Sequence, residues 1–353
     1  MVLKNLERDQ RVGQALIDRF ALDGVTAQAA SSCSKFRFWL DEERACVAYV
    51  DTGRAWVAAG RPAAVPGSYD SALRRFTREA QRHGRRARFF GVETAAANPS
   101  ARTLAIGSQP TWTPKGWLAT LARKKSLREQ LRRARAKGVS VEVVDTSVLS
   151  SHTKLGRELE SLRQGWLDQK GMSPMQFVAH TDLFDGLDRR EMLVARHKDL
   201  LAGVLVATPL KASNALMFEH LFRAPSAPNG TVETLFHAGL ERAEACGIER
   251  ATLGLCPLAG VSSWWLRAIR RASRPLYDFD GLYGFKKKLE PDDWKPVFVT
   301  IGHGEGGAMA IVDTLSAFAG QSLFAFGWSS LRKHRRMPKR LGQRPLGPRL
   351  AAT

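Results

Sequence analysis

The feature that most restricts the fold is an order of elements that occurs twice. In the second half, MLVARH (192–197) and LAGVLVATPL (201–210) are β-rich runs, and ALMFEHLFR (215–223) follows after a polar turn. That pattern predicts an antiparallel meander. Val232, Leu235, Phe236, Leu240 and Ala243 then fall on one helical face over 231–246, with Thr231 expected as N-cap and Gly247 placed for a C-cap. A strand, ATLGLC, leads into the turn PLAG and a second helix containing Trp264, Trp265 and Ile269, and KPVFVTI (295–301) reads as the closing strand. In the first half, ACVAYV (45–50), a turn at 51–53 and RAWVAAG (54–60) form a hairpin. A helix opens at Pro66-Gly67-Ser68 and runs to Arg82, Gly84 ends it, and RARFFGV follows. Shifting the second copy back by 163 residues superposes Gly247 on Gly84, Gly254 on Gly91 and Glu233 on Asp70.

Hairpin, helix, strand is the order of an α/β (α+β) domain with a mostly antiparallel mixed sheet, as in acyltransferases of the GNAT type. With 353 residues, 44% of them apolar, there is enough chain for two such units. The expected division is a first GNAT-like domain over 1–120, a basic connecting helix and strand over 121–150, a second, catalytic one over 151–305, and an amphipathic segment and a basic, disordered tail over 306–353. Helices are predicted over 123–137 and 151–166. The coenzyme A loop of GNAT enzymes, an Arg or Gln followed by Gly-x-Gly or Gly-x-Ala, is absent from both copies. APNGTVE stands in that position in the second.

Four segments carry a resemblance: FRAPSAPNGTVETLF (222–236), LGLCPLAG (253–260), FKKKLEPDDW (285–294) and SLREQLRRARAKGV (126–139). Together with GWLDQKGMSPMQF and the hairpin end GRPAAVP, they resemble the catalytic domain of the lysylphosphatidylglycerol synthases, the multiple peptide resistance factors, over roughly residues 36 to 301. The resemblance implies a tandem pair of GNAT-like domains and transfer of an amino acid from aminoacyl-tRNA to phosphatidylglycerol or a related hydroxyl lipid, which lowers membrane negative charge. It implies no cofactor, aminoacyl-tRNA serving as co-substrate. Family members commonly carry a transmembrane flippase ahead of this domain; none precedes it here, so a stand-alone synthase is expected. Two departures stand out. The family usually has aspartate where Glu233 stands, and one residue fewer between Pro291 and Trp294.

Aminoacyl transfer needs a group to hold the α-ammonium or take a proton from the acceptor hydroxyl, and cations for phosphate and oxyanion. On the resemblance, Glu233 serves as ammonium ligand or base, although capping the helix dipole is an equally physical role for it. Arg223 is expected to bind phosphate or orient Glu233. Lys286 and Lys288, read as an extended segment, would share one face, with Lys287 pointing away. Asn229, Gly230, Gly254 and Pro257 are the candidate substrate-binding positions. Asp70, the first-copy counterpart of Glu233, is expected to be a relic cap.

Charge points to the partners. The 54 basic against 34 acidic side chains leave +20 at pH 7, which favours phosphate-bearing partners. Arg123, Lys124, Lys125, Arg128, Arg132 and Arg133 crowd a helix whose apolar stripe is only Leu127, Leu131 and Ala134. This is the candidate contact for tRNA or lipid phosphate. Aminoacyl-tRNA and an anionic phospholipid surface are the expected partners and no DNA is expected; the oligomeric state is left open. The rival readings are an acyl-CoA-dependent GNAT transferase and a non-catalytic basic nucleic-acid- or membrane-binding protein. Cys33, Cys46, Cys246 and Cys256 form no CxxC pair, so free thiols and no metal are expected. No signal peptide or run of about 18 apolar residues is present. A cytoplasmic protein on the inner membrane face is the expectation, with AMAIVDTLSAFAG (308–320) and the tail as tether. GHGEGGA (302–308) reads as a flexible connection.

Overall fold

The computed structural model describes residues 2–42, 44–94, 102–169, 175–274, 277–302 and 304–320. Helices α1 (Val2–Phe20) and α2 (Gly24–Ser31) come first, then strands β1 (Arg37–Asp41), β2 (Ala45–Asp51), β3 (Ala55–Ala59) and β4 (Ala63–Ala64). Helix α3 (Tyr69–Arg82), β5 (Arg86–Val92) and β6 (Arg102–Trp112) complete the first half. The connection holds α4 (Trp117–Arg123), α5 (Lys125–Ala136), β7 (Val139–Val144) and α6 (Lys154–Asp168). The second half continues with β8 (Glu191–His197), β9 (Leu200–Leu210), β10 (Ala215–Arg223), α7 (Thr231–Ala245), β11 (Arg250–Thr252) and β12 (Cys256–Pro257). Then follow α8 (Trp264–Ala272), α9 (Phe279–Lys288), β13 (Asp293–Ile301) and α10 (Gly307–Ala319).

The repeat is visible in backbone detail. After α3, Gly84 N–H donates to Gln81 and Arg85 N–H to Ala80; after α7, Gly247 N–H donates to Glu244 and Ile248 N–H to Ala243. Each partner differs by the same 163 residues. Gly84 and Gly247 both take the left-handed conformation that such a helix end requires, at φ +68 and +69. In each copy the helix links two parallel strands, β3 to β5 and β10 to β11, within a sheet otherwise antiparallel.

The strand order is β1-β2-β3-β5-β13-β6-β11-β10-β9-β8-β7, one sheet running through both copies. The closing strand of the second half does not remain there. β13 pairs with β5 of the first copy, and β6, the last strand of the first half, pairs with β11 of the second. The copies thus exchange their final strands, and β13 and β6 pair with each other along their length. A half-turn about the sheet normal at this pair interchanges the two copies in strand order. The sheet therefore runs across the chain-order divisions at residues 120, 150 and 305. A right-handed crossover in each copy places α3 and α7 on the same face, and separate cores lie beneath them. The opposite face carries α1, α2 and α10.

Helix α10 packs one side of the expected tether segment onto the core and leaves Met309, Val312 and Leu315 exposed on the other. Ala310 and Ala317 are buried in the core, and Phe318 packs edge-on against Phe90 and Phe177. Buried Asp313 accepts from Arg86 at 2.6 Å and from Arg88 at 3.0 Å. Glu305 also binds Arg88, which anchors the connection at that residue. The basic tail lies outside the described residues. Cys46, Cys246 and Cys256 are free thiols.

Candidate functional site

Glu233 lies in the first turn of α7, and the entry to that helix is set by backbone conformation. Gly230, not Thr231, is the N-cap, at φ +96 in the left-handed region. The Thr231 hydroxyl donates back to the Pro228 carbonyl, and Thr234 donates to that of Gly230. A side chain at position 230 has no room: its Cβ would lie 2.7 Å from the Gln130 carbonyl and 3.0 Å from Ala134 Cβ, both on α5. The glycine therefore lets the basic helix pack against the start of α7.

The lysine motif is helical rather than extended. Asp278 caps α9 by accepting from Gly281 N–H, Asp280 sits in the first turn and three lysines in the last, an order that matches the helix dipole. On a helix, residues two apart diverge by about 200°. Lys286 and Lys288 accordingly part company. Lys286 is buried, and its ammonium donates to the carbonyls of Leu253, Gly254 and Leu255 at 2.7, 2.9 and 3.1 Å. Burial pulls its pKa down to about 8. All three donors are committed, so Lys286 pins the loop after β11 and has none left for a substrate.

Lys288 reaches Glu233, Nζ to Oε1, at 2.7 Å. Glu233 is only 8% exposed, so this lysine is its link to the surface. The end of α9 is fixed by buried Leu289, whose carbonyl accepts from Trp112 Nε1 at 2.9 Å. Lys124 pairs with Glu290 at 2.6 Å, joining the head of the basic helix to the same corner. Arg223 does not orient Glu233. It spans its own loop, donating to Asn229 Oδ1 at 3.4 Å. Gly254 takes a positive φ and its carbonyl accepts from Lys286, and Pro257 pairs with Gly107 in β12–β6.

The predicted apolar stripe of the basic helix is buried, at Leu127, Leu131 and Ala134. The helix breaks at Lys124 into α4 and α5. Arg128 closes that break by donating to the carbonyls of Leu121 and Ala122, and Arg132 and Arg133 share Glu129. Arg123 contacts Thr120, while Lys125 is exposed on the same ridge.

Two groupings carry no signal in linear spacing. One turn below Glu233, Trp117 Nε1 donates to His237 Nδ1 at 2.9 Å, which leaves Nε2–H for Glu241 at 3.3 Å. On the other face, at a β-bulge in β10, buried Glu219 accepts from Arg190, Gln28 and Thr208, each at 2.9 Å. His180 and His220 lie beside it, their Nε2 atoms without a hydrogen-bond partner, and His220 Nε2 stands 3.7 Å from Glu219 Oε1. Burial holds both imidazoles below the usual range, His220 down to about 4. A carboxylate inside the apolar run ALMFEHLFR was the signal available in the sequence.

The corresponding place in the first copy is filled by the chain itself. Asp23, ahead of α2, binds Arg61 through its backbone and guanidinium. A Cβ on Gly91 would lie 2.5 Å from Val25, and one on Gly60 2.1 Å from Thr26. Asp70 is exposed in the first turn of α3 and makes no cap. Among the described residues, the second copy combines a recessed carboxylate with a lysine partner at this helix start and the first does not.

The model of the family described as phosphatidylglycerol lysyltransferase, C-terminal, matches residues 15–301. The chain belongs to this family. It is 25% identical over 99% of its length to the lysylphosphatidylglycerol biosynthesis bifunctional protein LysX of Mycobacterium ulcerans, and spans about a third (33%) of that relative. Its fold is similar to that of the C-terminal domain of a putative lysylphosphatidylglycerol synthetase from Agrobacterium fabrum, with a TM-score of 0.74 and 20% identity, covering 90% of this chain and 99% of that one. The L-PGS structure from Bacillus licheniformis is equally similar in fold, with a TM-score of 0.74 and 17% identity, covering 91% of this chain and 97% of that one. The expected mixed α/β fold with a mostly antiparallel sheet and the family resemblance both hold.

Proposed function

We propose that the chain transfers an amino acid from aminoacyl-tRNA to a hydroxyl of phosphatidylglycerol. The observation that carries this reading is the Glu233–Lys288 pair at the N-terminus of α7, the helix end against which the cation-bearing α5 packs. The acceptor hydroxyl attacks the ester carbonyl of the aminoacyl group and passes its proton to Glu233. The carbonyl becomes a tetrahedral oxyanion, which the Lys288 ammonium and the positive end of α7 stabilise. Collapse breaks the bond to the terminal ribose oxygen of the tRNA, which takes up the proton. The α5 ridge supplies phosphate contacts for the tRNA acceptor arm, and no cofactor enters the reaction.

The test is incubation of the full chain with radiolabelled lysyl-tRNA and phosphatidylglycerol, followed by organic extraction. A ninhydrin-positive lipid that disappears on ribonuclease treatment is the expected result; alanyl-tRNA serves as the second donor. Formation of product from acyl-CoA alone, with none from either charged tRNA, would overturn the reading.

A further inference from the structure

Half of the large apolar side chains that stand exposed among the described residues lie on two helices that meet. Trp264, 74% exposed, and Ile269 are on α8; Met309, Val312 and Leu315 are on α10. The helices adjoin, since a Cβ on Gly307 at the head of α10 would lie 3.4 Å from Trp265 Cζ2. Rotation of α10 cannot hide its stripe. Ala310 and Ala317 are in the core, and Asp313 is held by Arg86 and Arg88 on the opposite side. Met309, Val312 and Leu315 recur three apart, so they form one outward row.

Cations border this apolar surface. Arg267 and Arg271 are exposed on α8 and make no ion pair among the described residues, whereas Arg270 and Arg274 share Asp280. A second copy of the chain would bring the same arginines toward each other, in a molecule already carrying +20. An anionic lipid surface complements both halves of the pattern: aromatic and aliphatic side chains enter the headgroup boundary while guanidinium groups meet lipid phosphate. We propose that the α8–α10 face docks on an anionic phospholipid bilayer, with Trp264, Met309, Val312 and Leu315 inserted and Arg267 and Arg271 on headgroup phosphates. The significance of this docking rests on the transfer reading above. Because α10 packs on the core opposite α3 and α7, and α5 packs on α7, docking leaves the basic ridge open for tRNA.

The experiment is flotation of the full chain with vesicles of phosphatidylcholine alone, or of phosphatidylcholine and phosphatidylglycerol in equal parts. The triple variant Trp264→Ser/Met309→Ser/Val312→Ser and the double variant Arg267→Glu/Arg271→Glu change only exposed or rim side chains, and thermal unfolding checks that each retains the fold. Wild type should bind the anionic vesicles, and each variant should bind at least about tenfold more weakly. Equal binding by the variants would overturn the proposal, as would failure of the wild type to bind anionic vesicles. A wild-type dimer made monomeric by the serine variant, without vesicle binding, would also overturn it by assigning the face to a second copy. Transfer to detergent-dispersed phosphatidylglycerol separates the two readings. Loss of transfer there with vesicle binding intact removes the transfer reading alone; transfer there with variant-insensitive vesicle binding removes the docking face alone.

Discussion

At the scale of the residue, the site reduces to one carboxylate and one ammonium 2.7 Å apart, the acid recessed and the lysine exposed. Glu233→Gln keeps the shape and removes the charge, and Lys288→Met removes its partner. Each should lower turnover in the charged-tRNA assay at least about tenfold, or about 1.4 kcal/mol of transition-state stabilisation. The double variant should lose less than the sum, because the groups act as a unit; additive losses would show that they act separately. His220 gives a second prediction. It is enclosed by Glu219, Arg190, His180 and Asp182, and burial depresses its pKa to about 4. Between about pH 6.5 and 4 the unfolded chain therefore binds more protons than the folded one, and stability falls as pH falls through that window. The denaturant midpoint should drop over that range, and His220→Gln should flatten the dependence. Glu233 was legible as a functional candidate from its motif. Lys288 was legible too, but its companion Lys286 was misassigned because an extended segment and a helix send alternate residues in different directions.

At the scale of the element, the corner depends on the close approach of the cation-bearing α5 to the start of α7, which carries Glu233. Gly230 permits this in two ways, through a left-handed φ and through the absence of a Cβ facing Gln130 and Ala134. Gly230→Ala should therefore destabilise the fold by about 2 kcal/mol, combining backbone strain with overpacking. Urea unfolding checks the stability, and single-turnover transfer should slow even in protein that remains folded. A substitution without effect on either would show that α5 is not set by this contact. The apolar stripe of α5 was readable from Leu127, Leu131 and Ala134. The break at Lys124, closed by Arg128 on two carbonyls, was not, because it depends on where α4 is packed.

At the scale of the whole molecule, the exchange of β6 and β13 makes the copies interdependent. A fragment ending at residue 120 would contain β6 but lack β11, β12 and β13, leaving β5 without its antiparallel neighbour and β6 without any of these three partners. Fragments 1–120 and 151–305 should each fail to give a cooperative unfolding transition by circular dichroism. The intact chain should unfold in one transition, with near- and far-ultraviolet signals coincident. Independent folding of either fragment would show that the exchanged strand is dispensable.

The sequence by itself determined the local grammar. Alternation in ACVAYV and LAGVLVATPL, the helical spacing from Val232 to Ala243, and the glycines at 84 and 247 specify element type and end, because each depends on nearest neighbours along the chain. It also determined the repeat, since the same grammar recurs 163 residues later. Tertiary structure decided which copy lends its last strand to the other, that α2 fills the first copy at Gly60 and Gly91, and that Lys288 rather than Arg223 meets Glu233. These are contacts between segments tens to hundreds of residues apart. Their geometry is fixed by the packing of whole elements, which no local pattern of residues encodes.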